Sequence, residues 1–370
     1  MEEFAYSFRD QDVVFGSGAV ARLGELTERY GWRRLLLCVS EHARSRGHVA
    51  PVEHTLANRL AATYERVQPH VQDVQVEEAR QAAQRYQADA VIGLGGGSAI
   101  GTAKAVSYSL ANDTPLAVIA IPTTYAGSEM TPIFGVTRHT AGFARKETVS
   151  DPRVTPRLVI YDPLLTLDLS PRLTAGTGVN AVAHCIEALY SITRNPLSTA
   201  AAREALRLMS RSLVQAYSHG DDAPARTEMF AGALLGGTAL AHVAMGLHHG
   251  LCHVLGGTAG VAHGDANAII LPRAMRFNLA GSAPQLALAA DAMGCVTTGE
   301  SALTAADAAI EQVSAWIERM DLPRRLRDVG VREEQLPELA RLAFSGRTVR
   351  DNPTPITDAA QIEALLREAW

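Results

Sequence analysis

The chain has 370 residues, 47% of them hydrophobic and 20% charged, with 34 Lys and Arg against 39 Asp and Glu for a net charge of −5. That composition excludes a disordered chain, a collagen-like chain and a coiled coil, and the length predicts two domains. With no excess of positive charge, nothing global recruits nucleic acid or an anionic membrane, so an anionic ligand needs a local site.

The N-terminus, Met1-Glu2-Glu3-Phe4, is acidic and lacks the apolar core of a secretion signal. Cys38, Cys185, Cys252 and Cys295 are far apart, each in an apolar stretch. They predict reduced core thiols in a cytoplasmic protein rather than a disulfide framework or a zinc knuckle. From Asp12 to Val20 the sequence reads as a strand, a tight glycine turn and the start of a helix. Apolar runs rich in Val, Ile and Leu follow at Arg34 to Val39, Ala90 to Leu94, Leu116 to Ile121 and Leu158 to Tyr161, separated by amphipathic stretches such as Val76 to Tyr86. Continuous apolar runs alternating with helices predict a parallel sheet covered by helices on both faces, an α/β nucleotide-binding domain over residues 1–160.

After Asp162-Pro163 the periodicity becomes helical, in stretches beginning at Thr174, Ser198, Arg226, Ala283, Ala305, Glu333 and Asp358. An all-helical domain over residues 161–370 is predicted. Met229 to Gly264 contains no Asp, Glu, Lys or Arg and is long enough to cross a bilayer. It carries five histidines and lacks basic flanks and aromatic belts, which predicts buried functional helices instead.

Gly95, Gly96, Gly97 and Ser98 lie between a buried strand and a helix expected to begin near Ala99 and to carry Lys104. Residues without Cβ let the backbone approach a phosphate, and a helix N-terminus adds unpaired N–H groups and a positive dipole end. Ser98 is expected to double as the N-cap. The spacing is not G-x-G-x-x-G. The next junction, with Thr123, Thr124 and Ser128, ends a strand in hydroxyls, and ligands of open α/β sheets lie at the carboxyl ends of strands. At the end of an earlier strand stand Ser40 and Glu41; Glu41 can grip an adenosine ribose and Ser40 cannot, which leaves the choice of NADH or NADPH open.

Five of the twelve histidines fall between residues 242 and 263, and His184 adds a sixth. Asn180 and His184 are four apart on one helix face, and His249 and His253 repeat that relation, with His263 beyond. Imidazoles converging from two helices and a loop suit a divalent iron, zinc or nickel ion. Asn180 offers a neutral amide where a carboxylate would hold a dication. Without the metal, the same histidines bind an anionic substrate or donate protons.

Together these motifs resemble the iron-containing alcohol dehydrogenase family, from Phe15-Gly16-Ser17-Gly18 to Asn352-Pro353. The match includes Gly95 to Ser98 with Ala103-Lys104, Pro122 to Thr124 with Gly127 to Glu129, Tyr161 to Pro163, and His249 to His253 followed by His263-Gly264 and Asn267-Ala268. Thr124 to Pro132, Gly178 to His184 and Leu247 to His253 are similar to the maleylacetate reductase branch. Asn180, in place of the metal-binding Asp, and Gly101, in place of a second Asp, point the same way.

The resemblance implies a dehydroquinate-synthase-like architecture with the active site in the cleft between the domains. It implies reduction by NADH or NADPH of the conjugated C=C of maleylacetate to 3-oxoadipate, in the breakdown of aromatic compounds. His249 and His253 are then expected as oxyanion stabiliser and proton donor, with His242 and His248 assisting the substrate carboxylates and Arg145 or Lys146 at the cleft mouth. A metal, if bound, would sit on His184, His249 and His263. Gly250, Asn267 and Thr354 depart from the branch, which has Lys, His and Arg there. The alternatives are a metal-dependent alcohol dehydrogenase or aldehyde reductase, a dehydroquinate-synthase-like lyase, and a silent nucleotide-binding protein. The expected partners are a small anionic carbonyl compound and a second copy of the chain as a homodimer, with no nucleic acid and no membrane.

Overall fold

The computed structural model describes residues 4, 6–7, 10–113, 115–140, 143–295 and 299–370, with the side chains of residues 139, 140 and 143–146 outside that description. The side chains of Arg145 and Lys146 therefore lie outside the described residues. The chain divides into two compact units, one spanning Ser7–Leu169 and the other Ser170–Trp370 together with the described residues before Ser7. The division falls nine residues beyond the expected boundary at 160, because the short helix Pro163–Thr166 stays with the sheet, its Leu165 packed into the sheet core.

The first unit is built on a parallel sheet. Its strands are β1 (Asp12–Phe15), β2 (Leu35–Ser40), β3 (Leu60–Val67), β4 (Ala90–Gly95), β5 (Ala117–Pro122) and β8 (Leu158–Tyr161), in the order β1-β8-β5-β4-β2-β3. Side chains alternate across the pleat as a period of two requires. Leu35, Leu37 and Val39 of β2 face a core shared with α1 (Leu23–Arg29), α2 (Glu41–Ser45) and α3 (Val49–Leu56). Leu36 and Cys38 face the opposite core, with α4 (Asp73–Arg85) and α5 (Gly97–Leu110). Burial on both faces is why these strands read as unbroken apolar runs.

Three strands escaped the sequence reading. β3 is an edge strand whose Glu65 and Arg66 are exposed, so it carries no apolar run. β6 (Ile133–Thr140) and β7 (Phe143–Ser150) form an antiparallel pair outside the main sheet, held across the strands by Arg138 and Glu147 at 2.5 Å. Phe134 and Val136 are buried at a period of two, but exposed charges such as Arg138 and Glu147 follow them and hide it.

The second unit is helical: α6 (Pro171–Tyr190), α7 (Pro196–Ser218), α8 (Ala223–Leu240), α9 (Leu247–Ala259), α10 (His263–Met293), α11 (Ala302–Arg319), α12 (Leu336–Phe344), α13 (Arg347–Arg350) and α14 (Ala359–Ala369). α6 is buried almost throughout from Thr174 to Tyr190 and forms the axis of the unit. Leu247, Leu251 and Leu255 of α9 pack with Ile269 and Ile270 of α10, Leu339 of α12 and Ile362 and Leu366 of α14. Each such side chain contributes about 1.5–3 kcal/mol by leaving water. α10 kinks at Ser282, two residues before Pro284. Among the described residues no helix is long and apolar enough to cross a membrane.

Candidate active site

In the sheet unit the expected cofactor residues gather at the carboxyl ends of β2, β4 and β5. Gly95 is the last residue of β4, in register with Pro122 of β5, and its carbonyl accepts from Thr123 N at 3.0 Å, which ties the two loops together. Gly95 sits at φ +142°, where a Cβ would also lie 2.5 Å from Ser40 Oγ and 2.9 Å from Ser40 Cβ. Only glycine fits there. A Cβ on Gly96 would lie 3.1 Å from Thr124, whereas one on Gly97 would make an ordinary 3.7 Å contact with Ala126.

The helix after this loop begins at Gly97 with Gly96 as N-cap and no side-chain cap, so Ser98 lies inside its first turn and is not the expected capping residue. Thr124 Oγ1 is buried without a hydrogen-bond partner beside that uncapped turn. An uncapped helix start, two glycines that admit no Cβ without displacement, and an orphaned buried hydroxyl make a cradle that fits a diphosphate. The loop after β5 is held from behind by Lys104 of α5. Its fully buried ammonium donates to the carbonyls of Ser128 at 2.5 Å, Thr131 at 2.7 Å and Ile133 at 3.0 Å. Ser128 thus faces Lys104 with its carbonyl. Ser40 caps α2 by accepting from Ala43 N at 3.3 Å, and Glu41, the first residue of that helix, is exposed.

In the helical unit five of the six expected histidines come together. His184 of α6 stacks on His249 of α9 with ring centroids 4.8 Å apart, and His248 meets His249 edge-on at 4.8 Å. His253 stacks on His263 at 6.0 Å, and both lie 6.3 Å from His249. His242 does not share in these stacks. Its ring packs on Tyr6 at 4.2 Å, and its Nδ1 lies 2.8 Å from the Thr238 carbonyl. The convergence of α6 and α10 depends on Gly176 and Gly264, where a Cβ on either would come within 3.2 Å of the other's backbone. His263 thereby begins its helix close against α6.

Burial sets the state of the rings. His184, His248 and His249 are buried, His263 is half-buried and His253 is exposed. Burial and the neighbouring imidazoles push His184 well below the usual histidine range and His248 to about 3; burial followed by His253 pushes His249 to about 3. All three are neutral at pH 7. Asn267, where the related branch has a second histidine, completes His248: its Oδ1 accepts from His248 Nε2 at 2.8 Å while its Nδ2 donates to the His263 carbonyl at 2.7 Å. His248 is thus turned inward. Gly250 has a reason of its own, since a Cβ there would lie 2.9 Å from Thr348 Oγ1 and 3.0 Å from Val349.

Glu187 was not anticipated. It is fully buried one turn beyond His184, and its Oε2 lies 2.6 Å from His249 Nδ1. Burial raises its carboxyl, opposed by His248 and by backbone N–H groups. The spacing Asn180, His184, Glu187 places all three on one helix face, and that spacing was the available signal. The metal set expected from the resemblance was also tested against the donors present. Among the described residues no three His, Cys, Asp or Glu side chains form a group that could hold a metal ion. Position 180 supplies only a buried amide. With an amide at that position, the set expected from the resemblance lacks the carboxylate whose charge would help retain a dication.

Comparison with known proteins agrees along the whole chain. Residues 10–163 match the iron-containing alcohol dehydrogenase model, and residues 174–370 match the C-terminal model of the Fe-containing alcohol dehydrogenase family. Maleylacetate reductase 1 of Cupriavidus pinatubonensis is 36% identical, over 100% of this chain and 98% of its own length. The crystal structure of maleylacetate reductase from Agrobacterium tumefaciens superposes with a TM-score of 0.87 at 33% identity, covering 100% of this chain and 99% of that one. A 1,3-propanediol oxidoreductase structure superposes with a TM-score of 0.93 at 30% identity, with both chains fully covered. On these matches the chain belongs to the iron-containing alcohol dehydrogenase family, and to its maleylacetate reductase branch.

Proposed function

We propose that this NAD(P)-dependent oxidoreductase reduces the conjugated C=C of maleylacetate to 3-oxoadipate, and that it does so without a resident metal. The observation that carries the reading is the pairing of neutral, buried imidazoles with an amide at position 180, a set that binds polar substrate atoms without demanding a dication. The alignment with maleylacetate reductases over nearly their whole length supports the substrate.

When bound, the reduced nicotinamide supplies the hydride. Gly95, Gly96 and Gly97, with Ser98, Thr123, Thr124 and Ser128 around the uncapped start of α5, hold the diphosphate, and Ser40 and Glu41 border the ribose. The new C–H bond forms at the alkene carbon β to the ketone, the π pair moves toward the ketone oxygen, and the resulting enolate takes one proton. With Glu187 accepting from Nδ1–H, His249 presents a bare Nε2 lone pair, so the hydrogen bond to the substrate's ketone oxygen, an acceptor, comes from His253 rather than from His249. His253, exposed and stacked on His263, donates to the developing oxyanion and delivers the proton. His248, held by Asn267, serves the site by packing. His242 is left as a peripheral contact of Tyr6. The enzyme acts as a cytoplasmic homodimer in this reading.

The test is the consumption of NADH and of NADPH with maleylacetate, before and after exhaustive chelation. Turnover that survives chelation is expected. Loss on chelation, with simple aldehydes accepted, would transfer the reading to a metal-dependent alcohol dehydrogenase, and no nicotinamide oxidation at all would end it.

A further inference from the structure

The α9 helix carries three of the clustered histidines, yet nothing in its own sequence caps it. It begins at Leu247 with Gly246 as N-cap, and Gly246 has no side chain to offer. The N–H groups of its start are received by side chains from elsewhere. Glu187 Oε1 accepts from Gly246 N at 3.1 Å and His248 N at 3.2 Å, and Glu187 Oε2 lies 3.4 Å from His249 N. Asn352 Oδ1 accepts from Leu247 N at 3.2 Å. Asn352 is itself fixed by a reciprocal amide pair with Asn278, at 3.0 and 2.7 Å. Four successive N–H groups, which an isolated helix start leaves to water, are therefore met inside the protein.

The same carboxylate oxygen that receives His249 N also faces His249 Nδ1 at 2.6 Å. We propose that Glu187 is the positioning residue of the site: one buried carboxylate caps α9, aims the His249 ring and holds it as the Nδ1–H tautomer with the Nε2 lone pair presented to the ligand. The geometry supports each part. An ionised carboxylate is acceptor-only, and three main-chain donors together with the positive end of the helix dipole converge on it. His249 Nδ1 then serves as the donor, and His249 Nε2 is left buried without a partner of its own. His249 also stacks on His184, with ring centroids 4.8 Å apart and planes 18° from parallel, which adds a second contact to the ring. A histidine held in this way takes a hydrogen bond from a ligand hydroxyl or amide and gives none. The inference extends the proposed function by naming what orients His249, and only its kinetic arm rests on that function.

The test uses the full chain, uniformly labelled with nitrogen-15, and reads the two ring nitrogens of His249 by NMR, assigned by difference against His249→Asn. The wild-type spectrum is expected to show Nδ1 protonated and Nε2 bare. In Glu187→Gln the amide oxygen still receives main-chain N–H groups while its NH2 faces Nδ1. The tautomer should invert, and kcat for maleylacetate should fall about 10- to 100-fold with KM changed far less. Asn352→Ala removes a cap from the same helix without touching His249, and should lower Tm while leaving the tautomer as in the wild type. A wild-type ring protonated at Nε2, or Glu187→Gln with the wild-type tautomer and kcat, overturns the proposal. If Glu187→Gln does not fold, the wild-type spectrum alone decides. If the wild type does not reduce maleylacetate, the functional reading fails while the spectra still decide the role of Glu187.

Discussion

His248 donates through Nε2 to the side-chain oxygen of Asn267 across 2.8 Å, with both residues fully buried. A position that departs from the branch pattern is thereby the partner of a histidine one turn before Cys252. Asn267→Ala leaves a buried N–H unmet and should cost about 1–3 kcal/mol of stability, read as a lower urea midpoint with an unchanged slope. Adding His248→Ala to it should cost less than the sum of the two single changes, as expected of residues in contact. Full additivity would mean that the bond contributes nothing.

The glycine loop predicts a contrast between two neighbours. Gly95→Ala places a side chain at φ +142° and 2.5 Å from Ser40 Oγ, and should weaken NADH binding by about 10-fold or more, from a backbone cost of about 1–3 kcal/mol. Gly97→Ala meets only Ala126 at 3.7 Å and should bind within about 3-fold of wild type, the difference expected of an unstrained helix position. Titration of nicotinamide fluorescence measures both. Equal losses at the two positions would remove the argument that the close approach at Gly95 shapes the cradle.

Glu129 is fully buried and accepts from the Tyr161 hydroxyl at 2.6 Å, while its Oε2 has no hydrogen-bond partner. Burial raises its carboxyl, partly offset by the Tyr161 hydrogen bond and by Lys104. A folded pKa above the unfolded one means the native state holds the proton longer, so this stabilisation is complete below about 4.5 and is lost as pH rises through the folded value. Glu129→Gln keeps the Tyr161 bond and does not titrate. Its Tm relative to wild type should therefore climb between pH 5 and pH 8, and a gap that stays constant across that range would refute the assignment.

The buried histidines act with the opposite sign. The folded value of His248 is pushed to about 3, against about 6.5 unfolded. Its contribution is fully present above about 6.5 and is lost as pH falls from there toward 3, because the unfolded chain takes up the proton first. The stability difference between wild type and His248→Gln should accordingly move against the wild type as the buffer is taken from pH 7.5 to pH 4.5. Urea midpoints across that range check it; a difference that does not change with pH would place His248 in water.

The sequence by itself determined the two-unit plan, the parallel sheet and the grouping of glycines and hydroxyls at strand ends. Those features are local: strands buried on both faces need unbroken apolar runs, as in Ala90 to Leu94, and a close backbone approach needs residues without Cβ, as at Gly95. The histidines were visible through their spacing on α6 and α9. Only the tertiary structure decided what each one does, because hydrogen-bond partners come from remote segments. His242 pairs with Tyr6 from 236 residues away, Glu187 reaches His249 across 62, and Asn352 caps Leu247 across 105. The edge strand β3 and the hairpin of β6 and β7 were hidden for the reverse reason: exposed residues such as Glu65, Arg66, Arg138 and Glu147 interrupt them, and the buried side chains they carry, Tyr64, Val67, Phe134 and Val136, are too few to make an unbroken apolar run.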